Sequence, residues 1–145
     1  MKQKHRITAL LTAFCMLLML VPFNAVTVTA VDGNFGGGSG TSDDPYLIED
    51  AADLRAFRDL VNGGDTDACG RLVNDINLNP GFTFKADGSY DGEGTPEQWT
   101  PIGSENLPYI GTFSGDNKTI SGVYINVNAA YQGLFGYIDG GAVQD

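Results

Sequence analysis

The sequence predicts a mainly β protein, a solenoid with one amphipathic capping helix near its N-terminus. Two observations carry this. The first is an internal echo: Gly111-Thr112-Phe113 returns as Gly133-Leu134-Phe135, 22 residues later (133 − 111). A polar, glycine-bearing turn follows each phenylalanine, Ser114 to Lys118 and then Asp139 to Gly141. Each turn leads into a β-prone run, Thr119-Ile120-Ser121 and then Ala142-Val143-Gln144. A period in the low twenties is a solenoid signal, one structural unit per lap. At about 3.3 Å per extended residue, such a unit contours roughly 70 Å, enough to circle a narrow core. Two unrelated β-hairpins could give the same echo. The second observation is that only one stretch shows helical periodicity, and it precedes the echo.

The chain opens with Lys2, Lys4 and Arg6, then an apolar run from Ile7 to Val21, then Pro22 and the small-residue site Val28-Thr29-Ala30. This pattern is that of a secretory signal peptide over residues 1–30. The apolar run is shorter than the ~20 residues a bilayer requires. Residues 31–44 are rich in glycine and serine and read as a flexible lead-in.

The expected domain covers residues 45–145. Pro45-Tyr46-Leu47-Ile48 is a short β-prone run. Leu54, Phe57, Leu60 and Val61 then recur at helical spacing, on one face. Asp50 is placed to cap that helix, Asp53 sits in its first turn, and Gly63-Gly64 ends it. Arg55 and Arg58 fall off the apolar stripe and read as a solvated face near Asp59. A helix ahead of β-coils can cover the open first coil of a solenoid.

Leu72 to Leu78 reads as one strand, with Asn74 breaking its apolar row at a bend. Gly81 to Gln98 reads as an irregular excursion, broken by Gly88, Gly92, Gly94 and Pro96. Within it, Asp87-Gly88-Ser89-Tyr90-Asp91-Gly92 has the oxygen spacing of half a calcium loop. Gln98 stands where the bidentate glutamate belongs, so an ordinary acidic turn is the better reading. Trp99 reads as core, with a carbohydrate-stacking platform as the alternative. The expected solenoid core is Phe113, Ile120, Val123, Ile125, Leu134, Phe135 and Ile138. Phe113 and Phe135 are expected to stack one coil apart.

Cleavage after Ala30 leaves five basic residues against eighteen acidic ones. That balance opposes nucleic-acid binding, which rests on Lys and Arg neutralising phosphate. It equally opposes an anionic membrane surface. Cleavage also removes His5, the only histidine, and with it any Ser–His–Asp or Cys–His constellation. No catalytic, cofactor or metal residue is assigned. Cys69 reads as a buried small residue, with an intermolecular disulfide as the alternative.

The ordered set Asp44-Pro45-Tyr46-Leu47-Ile48, Asn74 to Leu78, Trp99 to Gly103, Gly111 to Gly115, Thr119 to Val123 and Gly133-Leu134-Phe135-Gly136 resembles the start of bacterial secreted proteins carrying the GLUG motif. Gly133 to Gly136 is the motif itself. The resemblance implies a short right-handed parallel β-helix-like solenoid with no catalytic residues to carry over. It implies a secreted or cell-surface, adhesin-like structural or interaction module, the N-terminal part of something longer. The expected partners are an extracellular protein or glycan, with self-association through an open C-terminal coil. The alternative is an accessory region or fragment of a β-helix polysaccharide-degrading enzyme, whose catalysis can run on carboxylates and a basic residue without histidine, or of a secreted peptidase.

Overall fold

A computed structural model describes residues 35–145. The expected signal peptide lies outside the described residues. Those residues form short strands with a single α-helix: β1 (Tyr46–Ile48), α1 (Ala51–Asn62), β2 (Gly70–Leu72), β3 (Ile76–Asn77), β4 (Thr83–Phe84), β5 (Tyr90–Asp91), β6 (Thr112–Ser114), β7 (Ile120–Ser121) and β8 (Ala142–Gln144).

Four strands stack in one parallel sheet, in the order β1-β2-β6-β8. A second parallel pair joins β3 to β7, with Ile76 opposite Ile120. A third line of contact is made by parallel bridges, Ile102 to Phe135 and Tyr109 to Ile138. The chain therefore returns to the same sheet three times, always in the same direction. The spacing of these returns is uneven. Gly70 lies opposite Tyr46, and Phe113 opposite Gly70. The first interval holds α1 and the second holds a β-hairpin. Only the last interval is plain, from Phe113 to Val143, or 30 residues (143 − 113).

That register corrects the echo. Phe113 is followed in the sheet by Val143, and Phe135 lies opposite Ile102. Gly111-Thr112-Phe113 and Gly133-Leu134-Phe135 thus belong to one pass of the chain, on different walls. The two rings do meet, edge to face with centroids 5.3 Å apart, but across the interior. A glycine two residues before a phenylalanine therefore does not mark equivalent positions on successive passes.

α1 forms as its sequence directs. The Asp50 carboxylate accepts hydrogen bonds from the N–H groups of Ala52 and Asp53, at 2.8 and 3.0 Å. Asp53 in turn accepts the Glu49 N–H, at 2.9 Å. The Asp50 bonds satisfy two donors that the first helical turn leaves free, and the Asp53 bond ties down the residue ahead of the cap. Leu54, Phe57 and Val61 are fully buried. The Phe57 ring packs on Tyr109 and Phe113, with centroids 6.2 and 5.5 Å away. The approach needs a glycine on β2, since a Cβ at Gly70 would stand 2.9 Å from the Phe57 ring.

The core is centred earlier in the chain than the sequence suggests. It comprises Ile48, Leu54, Phe57, Val61, Leu72, Ile76, Leu78, Trp99, Ile102, Tyr109 and Phe113, with Ala68 beside them. Of the seven expected core residues only Phe113 is buried; Ile120, Val123, Ile125, Leu134 and Phe135 pack on the edge of the cluster. Ile138 is 41% exposed. These residues lie on the last pass, which has a neighbour on one side only.

Three further expectations change. The Leu72–Leu78 strand is two strands, β2 and β3, with a bend at Val73–Asp75. Asn74 sits at that bend and donates to the Glu49 carbonyl, at 3.0 Å. The Gly81–Gln98 excursion is not wholly irregular, because β4 and β5 pair antiparallel within it. The lead-in is tied down from Phe35 onward. Phe35 stacks on Tyr46 with centroids 4.3 Å apart. Gly36 donates to the Leu47 carbonyl and Leu47 to that of Gly37, at 3.0 and 2.9 Å. Among the described residues no helix is long and apolar enough to cross a membrane.

Candidate functional site

The arginines of α1 are not a solvated face. The Arg55 guanidinium donates to Glu97, with its closest contact at 2.7 Å, and to the Leu78 carbonyl at 2.8 Å. Arg58 pairs with Asp59 at 2.8 Å and lies 5.0 Å from the centre of the Trp99 ring. The return of the excursion, Glu97 to Trp99, crosses over the helix and occupies both side chains. An exposed ion pair contributes about 0–1 kcal/mol. The carbonyl bond and the cation–π contact place the segment more than they stabilise it.

Asn79 is the polar centre of this region and carried no signal in the sequence beyond its type. It is buried, at 4% exposure. Its amide donates to the Glu97 and Gly122 carbonyls at 3.0 and 2.8 Å, and its oxygen accepts the Glu97 N–H at 2.6 Å. One side chain thus ties β3, the excursion and the turn after β7. Gly122 has φ 70, and a Cβ there would stand 2.9 Å from the Asn79 nitrogen. Trp99 is core, as expected: it is buried, and its indole N–H donates to the Leu134 carbonyl at 3.1 Å.

The acidic turn of the hairpin is held by its own side chains. Asp87 accepts from the Ser89 hydroxyl and N–H, which hold its carboxyl below the usual range. Asp91 pairs with Lys85 at 2.8 Å. Among the described residues no group of three or more His, Cys, Asp or Glu is placed to hold a metal ion. Phe84, Tyr90 and Tyr124 pack on one another, at 5.6 to 6.3 Å between centroids. These contacts seat the hairpin on the last pass.

Two carboxylates lie close on the connector after α1. Burial, then the charge and hydrogen bond of Asp67, raise the Asp65 carboxyl. Cys69, four residues further, is buried and unpaired.

The surface that stands out is the far end of the sheet. β8 ends the strand order, so its outer edge has no partner among the described residues. Beside it lies an open groove of about 410 Å³, lined by Leu72, Phe113, Ile120, Leu134 and Val143 among others. Val143 is 50% exposed. The groove opens at the β8 end of the stack, and residues of successive passes line it.

No protein-family model matches the chain, and no solved structure matches it. The chain is similar to a protein of Evansella cellulosilytica provisionally named a Gly-rich membrane protein. The two are 33% identical over 139 residues, which is 95% of this chain and 15% of that protein. It is also similar to halomucin of Haloquadratum walsbyi, 37% identical over 111 residues, 74% of this chain and 1% of halomucin. The chain therefore spans only a small part of either relative.

Proposed function

We propose that the protein is a secreted or cell-surface, non-catalytic structural and interaction module of the GLUG-motif type, built as a short right-handed parallel β-helix. The observation that carries this reading is the sheet β1-β2-β6-β8, parallel throughout and bare at β8. Stacked parallel passes make an extended surface and are extended by adding further passes. Right-handed connection is the rule when parallel strands of one sheet are joined. The Evansella relative is named a membrane protein, which supports a place at the cell envelope, and the basic and apolar leader supports export. The loss of His5 with that leader would leave no histidine for a histidine-based mechanism.

The partner we propose is an extracellular protein or glycan, and the open end is the route to self-association. Unpaired strand edges template pairing with another chain. Sedimentation velocity over a range of concentrations tests this. We expect reversible association that Val143→Lys suppresses, since an edge lysine blocks pairing. Association unaffected by that substitution, or fast amide exchange at the β8 edge in the associated state, would sink the reading.

A further inference from the structure

We propose that the cleft between Thr100–Ser104 and Ala130–Gln132 binds a neutral saccharide, with Tyr131 as its stacking platform. This deepens the interaction-module reading and rests on it. The cleft measures about 370 Å³, within the usual range for a small-molecule site. Its walls come from two successive passes and include Asn62, Thr100, Pro101, Ser104, Tyr131 and Gln132. None of its lining residues is charged, in a chain whose net charge is −10. A lining of hydroxyls and amides suits the hydroxyls of a sugar and brings no opposite charge to an ionic ligand.

Tyr131 supplies the apolar half of the recognition. Its side chain is large and yet 49% exposed. Its backbone sits at φ 59, in the left-handed region. Asp116 and Asn117 share that region in the turn before β7, where short polar side chains tolerate it. A tyrosine does not, and a bulky residue held there is strained. Nothing in the core requires this, because the ring is not buried. Tyr137 braces it at right angles, with centroids 5.3 Å apart. An aromatic face is the standard surface for the C–H face of a pyranose ring.

The opposite wall is fixed in advance. The Asn62 amide donates to the Pro101 carbonyl at 3.0 Å, and its oxygen accepts the Gly103 N–H at 2.8 Å. The end of α1 thereby holds Pro101 to Gly103 in place, which lowers the ordering cost of binding. Gln132 donates to the Ala130 carbonyl at 2.9 Å and keeps its own oxygen as an acceptor.

The test is an NMR titration of the isotope-labelled protein with cellotetraose, chitotetraose, maltotetraose and mannotetraose, each to about 10 mM. At least one is expected to shift the Thr100, Ser104 and Gln132 amides saturably, with a Kd of about 1 mM or tighter. Tyr131→Ala and Tyr131→Gly are each expected to weaken that binding at least tenfold. Tyr131→Gly is also expected to melt no lower than the parent, because glycine takes up this φ without strain. Absence of a saturable shift from all four sugars, or equal affinity in Tyr131→Ala, would overturn the proposal. So would shifts from an oligoproline peptide or an anionic heparin fragment with none from the neutral sugars. Amide exchange on the same sample separates the two failures. Protected β1, β2 and β6 amides without sugar binding defeat the cleft alone, and unprotected ones defeat the parallel stack as well.

Discussion

The two ends of the four-stranded sheet solve the same problem differently. At β1, the Leu47 N–H and carbonyl are taken up by the Gly36–Gly37 segment, Phe35 covers Tyr46, and α1 buries Leu54, Phe57 and Val61 beneath. At β8, the inner edge is bonded to β6 through Gly115 and Ala142, and the outer edge has no partner among the described residues. Val143 and Ile138 stand exposed beside it. Stacked passes create a core only between neighbours. A pass with a partner on one side presents the same residue types half-buried, and its contribution to stability falls accordingly.

Phe113→Ala is expected to be the most damaging single substitution. Phe113 packs between Phe57 and Phe135 and is 2% exposed. Truncating such a ring costs about 3–5 kcal/mol, a large part of the roughly 5–15 kcal/mol a domain possesses. Urea denaturation is expected to show loss of most of the folded population. A cost below about 1 kcal/mol would mean that Phe113 is not central to the core.

Next in size is Asn79→Ala, which leaves the Glu97 N–H and the Gly122 carbonyl without their partner. Each buried group so stranded costs about 1–3 kcal/mol. The lost stability is expected to come with faster amide exchange at Glu97 while the α1 amides stay protected.

The bare end is expected to be more forgiving. Phe135 is only partly buried, so Phe135→Ala is expected to cost about half as much as Phe113→Ala, roughly 2 kcal/mol. Val143→Ala is expected to change stability by no more than about 0.5 kcal/mol. Equal losses for Phe113 and Phe135 in urea denaturation would erase the distinction between the ends.

The smallest effect near neutrality is that of Tyr109, which changes nothing until the solution is strongly alkaline. Burial, with Cys69 adding to it, pushes the phenol far above its ordinary value of 10.0. The folded protein keeps a proton that the unfolded chain releases, so this stability is complete below about pH 10 and falls as pH rises further. Phenolate absorbance of Tyr109, followed by difference with Tyr109→Phe, is expected to appear only as the core unfolds. Its appearance in a protein with protected α1 amides would contradict the burial.

Local physics was legible in the sequence where a residue's neighbours are close in the chain. The helix, its Asp50 cap and its glycine stop follow from spacing and capping chemistry. The bend at Asn74, the short strands at Ile120 and Val143, and the buried Trp99 follow from residue type. Register was not legible, because a Gly-x-Phe echo reads the same whether its two copies lie on one pass or on two. Only the parallel pairing shows that Phe113 precedes Val143 and that Phe135 faces Ile102. The roles of Arg55, Arg58 and Asn79 were likewise hidden, since each is decided by the segment Glu97–Trp99, about 20 to 40 positions away. Burial on the last pass depends on whether another layer covers it. Composition cannot supply that: Phe113 and Phe135 are the same residue in the same motif, and only the stacking of neighbours buries one and half-exposes the other.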